Sequence, residues 1–152
     1  MIIIHFAQYL WAMEKSELLQ KFNDVCPNTL METLGIKYID VDPINGMLKA
    51  SMPVNPTVHQ PMGLLHGGAS VALAESVGSA ASSLFSNPKE FAILGLEISC
   101  NHIKSVKEGM VYAQADIIHK GRSTHIWEIK IVDENSNLIS HCKLTNIIKP
   151  LK

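Results

Sequence analysis

The fold turns on His66-Gly67-Gly68-Ala69-Ser70-Val71-Ala72-Leu73-Ala74-Glu75-Ser76-Val77-Gly78-Ser79-Ala80-Ala81-Ser82-Ser83-Leu84-Phe85. The stretch has helical character and closes near Asn87-Pro88. It carries Ala, Ser, Gly and Val on nearly every side. A helix polar all round stands in solvent, whereas one this small and neutral is enclosed by something curved and close. A strongly bent sheet wrapped around one buried helix meets that requirement.

On both sides of this helix the sequence period is two. Upstream, Ile36–Val41 and Met47–Met52 alternate around the turn Pro43-Ile44-Asn45-Gly46, a β-hairpin with an Asn-Gly signal. Residues 54–65 read as loop, punctuated by Pro56, Pro61 and Gly63. Downstream, four alternating segments run over about 92–103, 110–119, 123–132 and 138–148, broken by short polar turns, and the simplest expectation is an antiparallel meander. Further upstream, Ser16 to about Leu34 has helical spacing interrupted at Pro27. The expected fold class is α+β. The expected division is 1–33 as an N-terminal tail and helix, and 34–150 as the main domain.

The 152 residues amount to about one domain. An apolar fraction of 47% with 18% charged residues excludes a disordered chain. Lys+Arg is 13 against Asp+Glu 14, so no basic excess exists to neutralise a phosphate backbone, and no nucleic-acid partner is expected. Arg122 is the sole arginine, so a bidentate guanidinium contact has one possible place. Cys26, Cys100 and Cys142 are odd in number and lack CxxC spacing. That is a poor disulfide framework and points to a reducing compartment. Met1–Trp11 is apolar but has no positive flank and is broken by His5 and Gln8, so it reads as a mobile or docking tail rather than a signal peptide, with Met13 an alternative start. No apolar run reaches the ~18 residues of a membrane span. The expected location is the cytoplasm, with no membrane partner.

Between Lys49 and Lys89, Glu75 is the only residue with a full formal charge, and no Lys or Arg lies within four positions of it. An ordinary mid-helix Glu faces solvent. This one has Ala72, Ala74, Ser76, Val77 and Ser79 for neighbours, which places it inward, where desolvation should raise its pKa. Ser79, at i+4, is within reach of its carboxylate or of a water shared with it. At the helix start, His66-Gly67-Gly68 offers amides that no intrahelical acceptor uses, at the positive end of the dipole, with no side chain in the way. That is an oxyanion site for acyl transfer; on this feature alone, a Gly-rich turn without a ligand is an equal reading. Gln60 lies in the same loop and adds a side-chain N–H. Gly67 and Glu75 are eight residues apart, about 12 Å along a helix, too far for one carbonyl group to touch both on one chain. If both act, they come from two subunits, as in an isologous dimer with antiparallel central helices.

These residues match a family. The run from Gln60 to Ser70, then Ala74–Ser79, then Gly95-Leu96-Glu97-Ile98-Ser99-Cys100-Asn101-His102, closely resembles the hotdog-fold acyl-CoA thioesterases. Within them it is most similar to the PaaI-like branch that includes the 1,4-dihydroxy-2-naphthoyl-CoA and Arthrobacter-type 4-hydroxybenzoyl-CoA thioesterases. The resemblance implies Glu75 as nucleophile or general base and the Gly67 amide as oxyanion donor. Gln60 and His66 of one subunit would orient the thioester carbonyl, and Glu75 and Ser79 would come from the other. It implies coenzyme A on the outer surface, at Gly95, at His102, Ile103, Lys104 and Ser105, and at His119, Lys120, Gly121, Arg122, Ser123 and Thr124. Lys104 stands where close relatives often carry Arg. A dimer at least, and a tetramer by the same resemblance, is implied, with an aromatic acyl group as substrate.

Lys104, Lys107, Lys120 and Arg122 fall at strand ends, where they serve either CoA phosphates or solubility. The histidines show no HxH or HExxH spacing, so no metal and no separate cofactor are expected. Two other readings remain: an acyl-CoA hydratase or dehydratase on the same fold, whose acid–base signature is not seen, and a non-catalytic acyl-CoA-binding protein.

Overall fold

The computed structural model describes residues 13–151. The expectations for the tail Met1–Trp11 lie outside the described residues. Among the described residues no helix is long and apolar enough to cross a membrane.

The described residues begin with α1 (Lys15–Asp24), which buries Leu18 and Phe22, and the short α2 (Leu30–Leu34). The break expected at Pro27 is real. Asn28 takes a positive φ, Thr29 caps α2 by accepting the Met31 N–H, and Gly35 closes α2 in the left-handed conformation. Asn23 of α1 holds the backbone of Tyr38 from both sides. Its Nδ2 donates to the Tyr38 carbonyl (2.9 Å), and its Oδ1 accepts the Tyr38 N–H (3.0 Å). The Tyr38 hydroxyl in turn donates to the Ser76 carbonyl (3.2 Å), and burial raises its pKa.

The hairpin forms as read, with β1 (Lys37–Asp42) and β2 (Met47–Val54) joined through Gly46 at φ 69°. After a 3₁₀ turn at Pro56–Val58 comes α3 (Gly67–Ser82). Then follow β3 (Phe91–His102), β4 (Gly109–Lys120), β5 (Thr124–Asp133) and β6 (Leu138–Pro150). All six strands form one antiparallel sheet, in the order β1-β2-β4-β5-β6-β3.

That order corrects the expected four-strand meander. Only β4-β5-β6 is a meander. β2 pairs with β4 from Met47↔Asp116 to Val54↔Gly109, and β3 closes the far edge against β6 from Phe91↔Pro150 to His102↔Ser140. The physical reason is α3. Inserted between β2 and β3, it occupies the hollow of the curved sheet and packs against β2 through β6. The chain leaving it therefore enters at the opposite edge. The six-residue link 103–108, up to about 20 Å long when extended, then carries the chain back across to β2.

The core lies between α3 and the sheet. Leu73, Ala74, Val77 and Ala81 meet Leu48, Met52, Ala113, Trp127, Ile129 and Leu144, all fully buried. Gly78 is required by close approach, since a Cβ there would sit 2.6 Å from Leu144 Cδ2. The cysteine expectation is also corrected. Cys100 and Cys142 are register partners on β3 and β6 and form a disulfide, while Cys26 is buried and free. Their separation of 42 residues leaves no mark in linear spacing; only the β3–β6 pairing brings them together.

Candidate active site

The start of α3 is shaped by a histidine cap and two glycines. His66 is its N-cap, in extended conformation (φ −69°, ψ 130°), with its own N–H tied to the Val58 carbonyl at 2.8 Å. Its ring Nδ1 accepts the Gly68 N–H at 2.8 Å, so in the neutral ring the proton sits on Nε2. Gly68 is thereby satisfied. The Gly67 amide has no hydrogen-bond partner among the described residues. It borders a cleft of about 270 Å³ lined also by Gln60, Ser70, His102, Lys104 and Ser140. Gln60 Oε1 accepts the Met62 N–H, which leaves its amide Nε2 as the donor end. The His102 ring lies across Gly67: a Cβ on that glycine would meet Nε2 at 2.6 Å. His102 Nδ1 lies 3.1 Å from the hydroxyl of buried Ser140. Gln60, Gly67, His102, Ile103, Lys104 and Ser105 are thus gathered in one place, with His66 capping the helix beside them.

Glu75 is two turns further along α3 and outside this cleft. Its Oε1 lies 2.5 Å from where a Cβ of Gly95 would stand, so a side chain at position 95 would displace the carboxylate. The expectation of an inward, desolvated Glu75 is corrected: in the single chain this residue is exposed. The sheet ends at β3, and among the described residues no strand lies beyond that edge. The hydrogen bond that the structure gives Ser79 runs to the sheet. Ser79 donates to Asn146 Oδ1 at 3.3 Å, across to β6.

The turn 119–124 lies at the other end of the sheet from the cleft. Thr124 pairs with Ile147, and Ile147 with Leu94, whereas His102 pairs with Ser140 at the cleft end. Within the turn, Gly121 N–H donates to the Thr124 carbonyl, and Lys120 Nζ sits 4.5 Å over the Phe85 ring. Arg122 and Ser123 are exposed. Beneath the turn, His125 is 2% exposed and its Nδ1 has no partner. Burial, with Lys120 and His119 nearby, pushes its pKa down to about 4. The residues assigned to one active site therefore divide into two sets at opposite ends of a single chain. Ser140 and Asn146 were missed in the sequence; a lone Ser and a lone Asn on an alternating strand carry no local signal.

A curved antiparallel sheet wrapped on one central helix is the hotdog fold of the thioester hydrolases. The comparisons agree. The sequence profile of the thioesterase superfamily matches residues 62–140, and the chain belongs to that superfamily. It is 42% identical over 120 residues to a 1,4-dihydroxy-2-naphthoyl-CoA hydrolase of Listeria monocytogenes, covering 79% of this chain and 95% of that one. It is 39% identical over 130 residues to the proofreading thioesterase EntH of Cronobacter turicensis, covering 86% and 93%. The crystal structure of a mutant thioesterase from Pseudomonas aeruginosa superposes with a TM-score of 0.86 at 39% identity, covering 93% of this chain and 99% of that one.

Proposed function

We propose that the protein hydrolyses the CoA thioester of an aromatic acid, at sites shared between two copies of the chain. The observation that carries this is the division of the site along α3. The Gly67 amide and its cleft lie at the helix start, and Glu75 lies eight residues on, against the edge strand. Strand β3 is a 12-residue edge with Leu94 50% and Leu96 62% exposed, a surface that pairing with a second copy would cover. Antiparallel β3–β3 pairing brings the His102 end of one chain to the Gly95 end of the other. The Gly67 amide, Gln60 and His66 of one copy then face Glu75 and Ser79 of the second, and the two CoA-binding sets, 102–105 and 119–124, meet across the same seam. Further pairing of such dimers gives the tetramer.

In this site the thioester carbonyl oxygen accepts the Gly67 N–H, which takes up the negative charge that develops as the carbon is attacked. Gln60 Nε2 and His66 hold the same carbonyl. Either Glu75 attacks the carbon, the C–S bond breaks to release the CoA thiolate, and water then hydrolyses the anhydride on Glu75, or Glu75 takes a proton from the attacking water, the C–S bond breaks, and that proton passes to the leaving CoA thiolate. Lys104 and the 119–124 turn, with Lys120 and Arg122, provide charge for the CoA phosphates. The aromatic acyl preference is supported by the Listeria relative's named substrate. The cytoplasm, where CoA esters are found, is the proposed location; the Cys100–Cys142 disulfide is the one observation pulling the other way.

Subunit mixing tests the shared site. Gln60→Ala and Glu75→Ala proteins are each inactive on benzoyl-CoA, read as thiol release. After subunit exchange, half the dimers hold one intact site of two, so roughly a quarter of wild-type activity returns. Proven exchange without recovery overturns the reading. Single-turnover hydrolysis in ¹⁸O-water separates the two roles of Glu75, since only direct attack leaves label in its carboxylate.

A further inference from the structure

The second half of α3 is held to the sheet by a buried polar network with a fixed direction. Asn146 of β6 is fully buried. Its Nδ2 donates to the Gly78 carbonyl (3.2 Å) and to Ser82 Oγ (2.9 Å), and its Oδ1 accepts from Ser79 (3.3 Å). Ser82 Oγ also accepts the Trp127 indole N–H at 2.8 Å and donates to the Gly78 carbonyl at 3.4 Å. A backbone carbonyl only accepts. Gly78 therefore dictates that the nitrogen end of the Asn146 amide faces it, and the oxygen end faces Ser79. That oxygen also only accepts, so the single hydroxyl proton of Ser79 is committed to it.

The consequence reaches the reacting groups. Ser79 is one helical turn from Glu75. The Glu75 carboxylate lies against Gly95, and Gly95 is the register partner of Asn146. We infer that Asn146 is a positioning residue for hydrolysis: by taking the Ser79 proton it leaves Ser79 only lone pairs to offer on its open side, so that Ser79 and Glu75 form two acceptors side by side. Two such acceptors hold one water by both its hydrogens. As that oxygen bonds to the acyl carbon, the hydrogen on Glu75 transfers to the carboxylate and the one on Ser79 stays with the new acid. Were Asn146 apolar, the Ser79 hydroxyl would be free to donate to the Glu75 carboxylate and weaken it as a base. The inference rests on the placement of Glu75 and Ser79 in the site proposed above and on its water-activating route.

A double-mutant cycle tests it, with kcat and KM for benzoyl-CoA measured on the full chain and folding checked by circular dichroism. Asn146→Ala lowers kcat about tenfold, the worth of one hydrogen bond, with KM within about twofold. In a Ser79→Ala background the same change costs nothing further. Asn146→Leu, which keeps the volume, carries the same cycle if the alanine protein does not fold. Losses that multiply in the double variant show that Asn146 acts through packing alone, and overturn the inference while leaving Ser79 in the site. A Ser79→Ala protein with undiminished kcat removes Ser79 from the site, and the inference falls with it.

Discussion

The two halves of α3 are made of the same small residues and do opposite things. The first half is open. Its leading amide has no partner among the described residues, its flank borders a cleft, and the exposed Glu75 follows directly after it. The second half is closed. Ser82, Leu84, Trp127 and Asn146 are fully buried, and Phe85 stacks on Trp127 at 6.1 Å. Rigid packing at one end holds the helix, so the other end can leave donors and a carboxylate unsatisfied. Damage to the first half should cost rate at unchanged stability, and damage to the apolar packing of the second half, away from the Asn146–Ser79 bond, stability at unchanged rate.

The largest expected effect is at Gly67. Proline suits the first position of a helix, and the extended conformation of His66 is the one a following proline requires. Gly67→Pro removes the amide donor and should lower kcat by about 10²–10³ without lowering Tm. Gly67→Ala meets the same His102 ring but keeps the N–H. Equal losses in the two would mean that crowding, not the amide, is responsible.

Next in size is an acid effect in the closed half. His125 titrates at about 4 in the folded chain and near 6.5 when unfolded. Between those values the unfolded state binds the extra proton, so stability falls as pH drops through this window and is unaffected above it. By pH 4 the loss amounts to about 3 kcal/mol. Urea midpoints at several pH values measure it, and a His125→Leu protein should lose that part of the slope. A native chain equally stable at pH 6.5 and 4 contradicts the burial argument.

The smallest effect is at the hairpin tip. Gly46 has φ 69°, and a Cβ there would lie 2.6 Å from the Phe85 ring and 2.9 Å from Ile117. Gly46→Ala should destabilise the chain by about 1–3 kcal/mol while kcat at 25 °C stays within about twofold. A larger fall in rate than in stability would erase the contrast between the halves.

Periodicity made the hairpin, α3 and the strand limits legible, because each depends on a local pattern of burial. Strand order was not legible in the same way. Nothing within β3 says that it pairs with β6 rather than β4, since that choice is made by the helix placed before it. Of the site, the Gly67 and Gln60 cluster was readable because its parts are near in sequence and its glycines are unusual. The exposure of Glu75 was misread because small apolar neighbours were taken as burial, when one face of the same helix lies beyond the last strand. The roles of Asn146 and Ser140 needed coordinates, as did the Cys100–Cys142 bridge, since each depends on cross-strand register.

The grip of Asn23 on Tyr38, and of Tyr38 on the Ser76 carbonyl, makes the opening helix a remote tether for the residue beside Glu75. A protease that clipped α1 away would touch neither the cleft nor the carboxylate. It would nevertheless remove the Asn23 clamp from the Tyr38 backbone, and so loosen the hydroxyl that steadies the carbonyl next to Glu75.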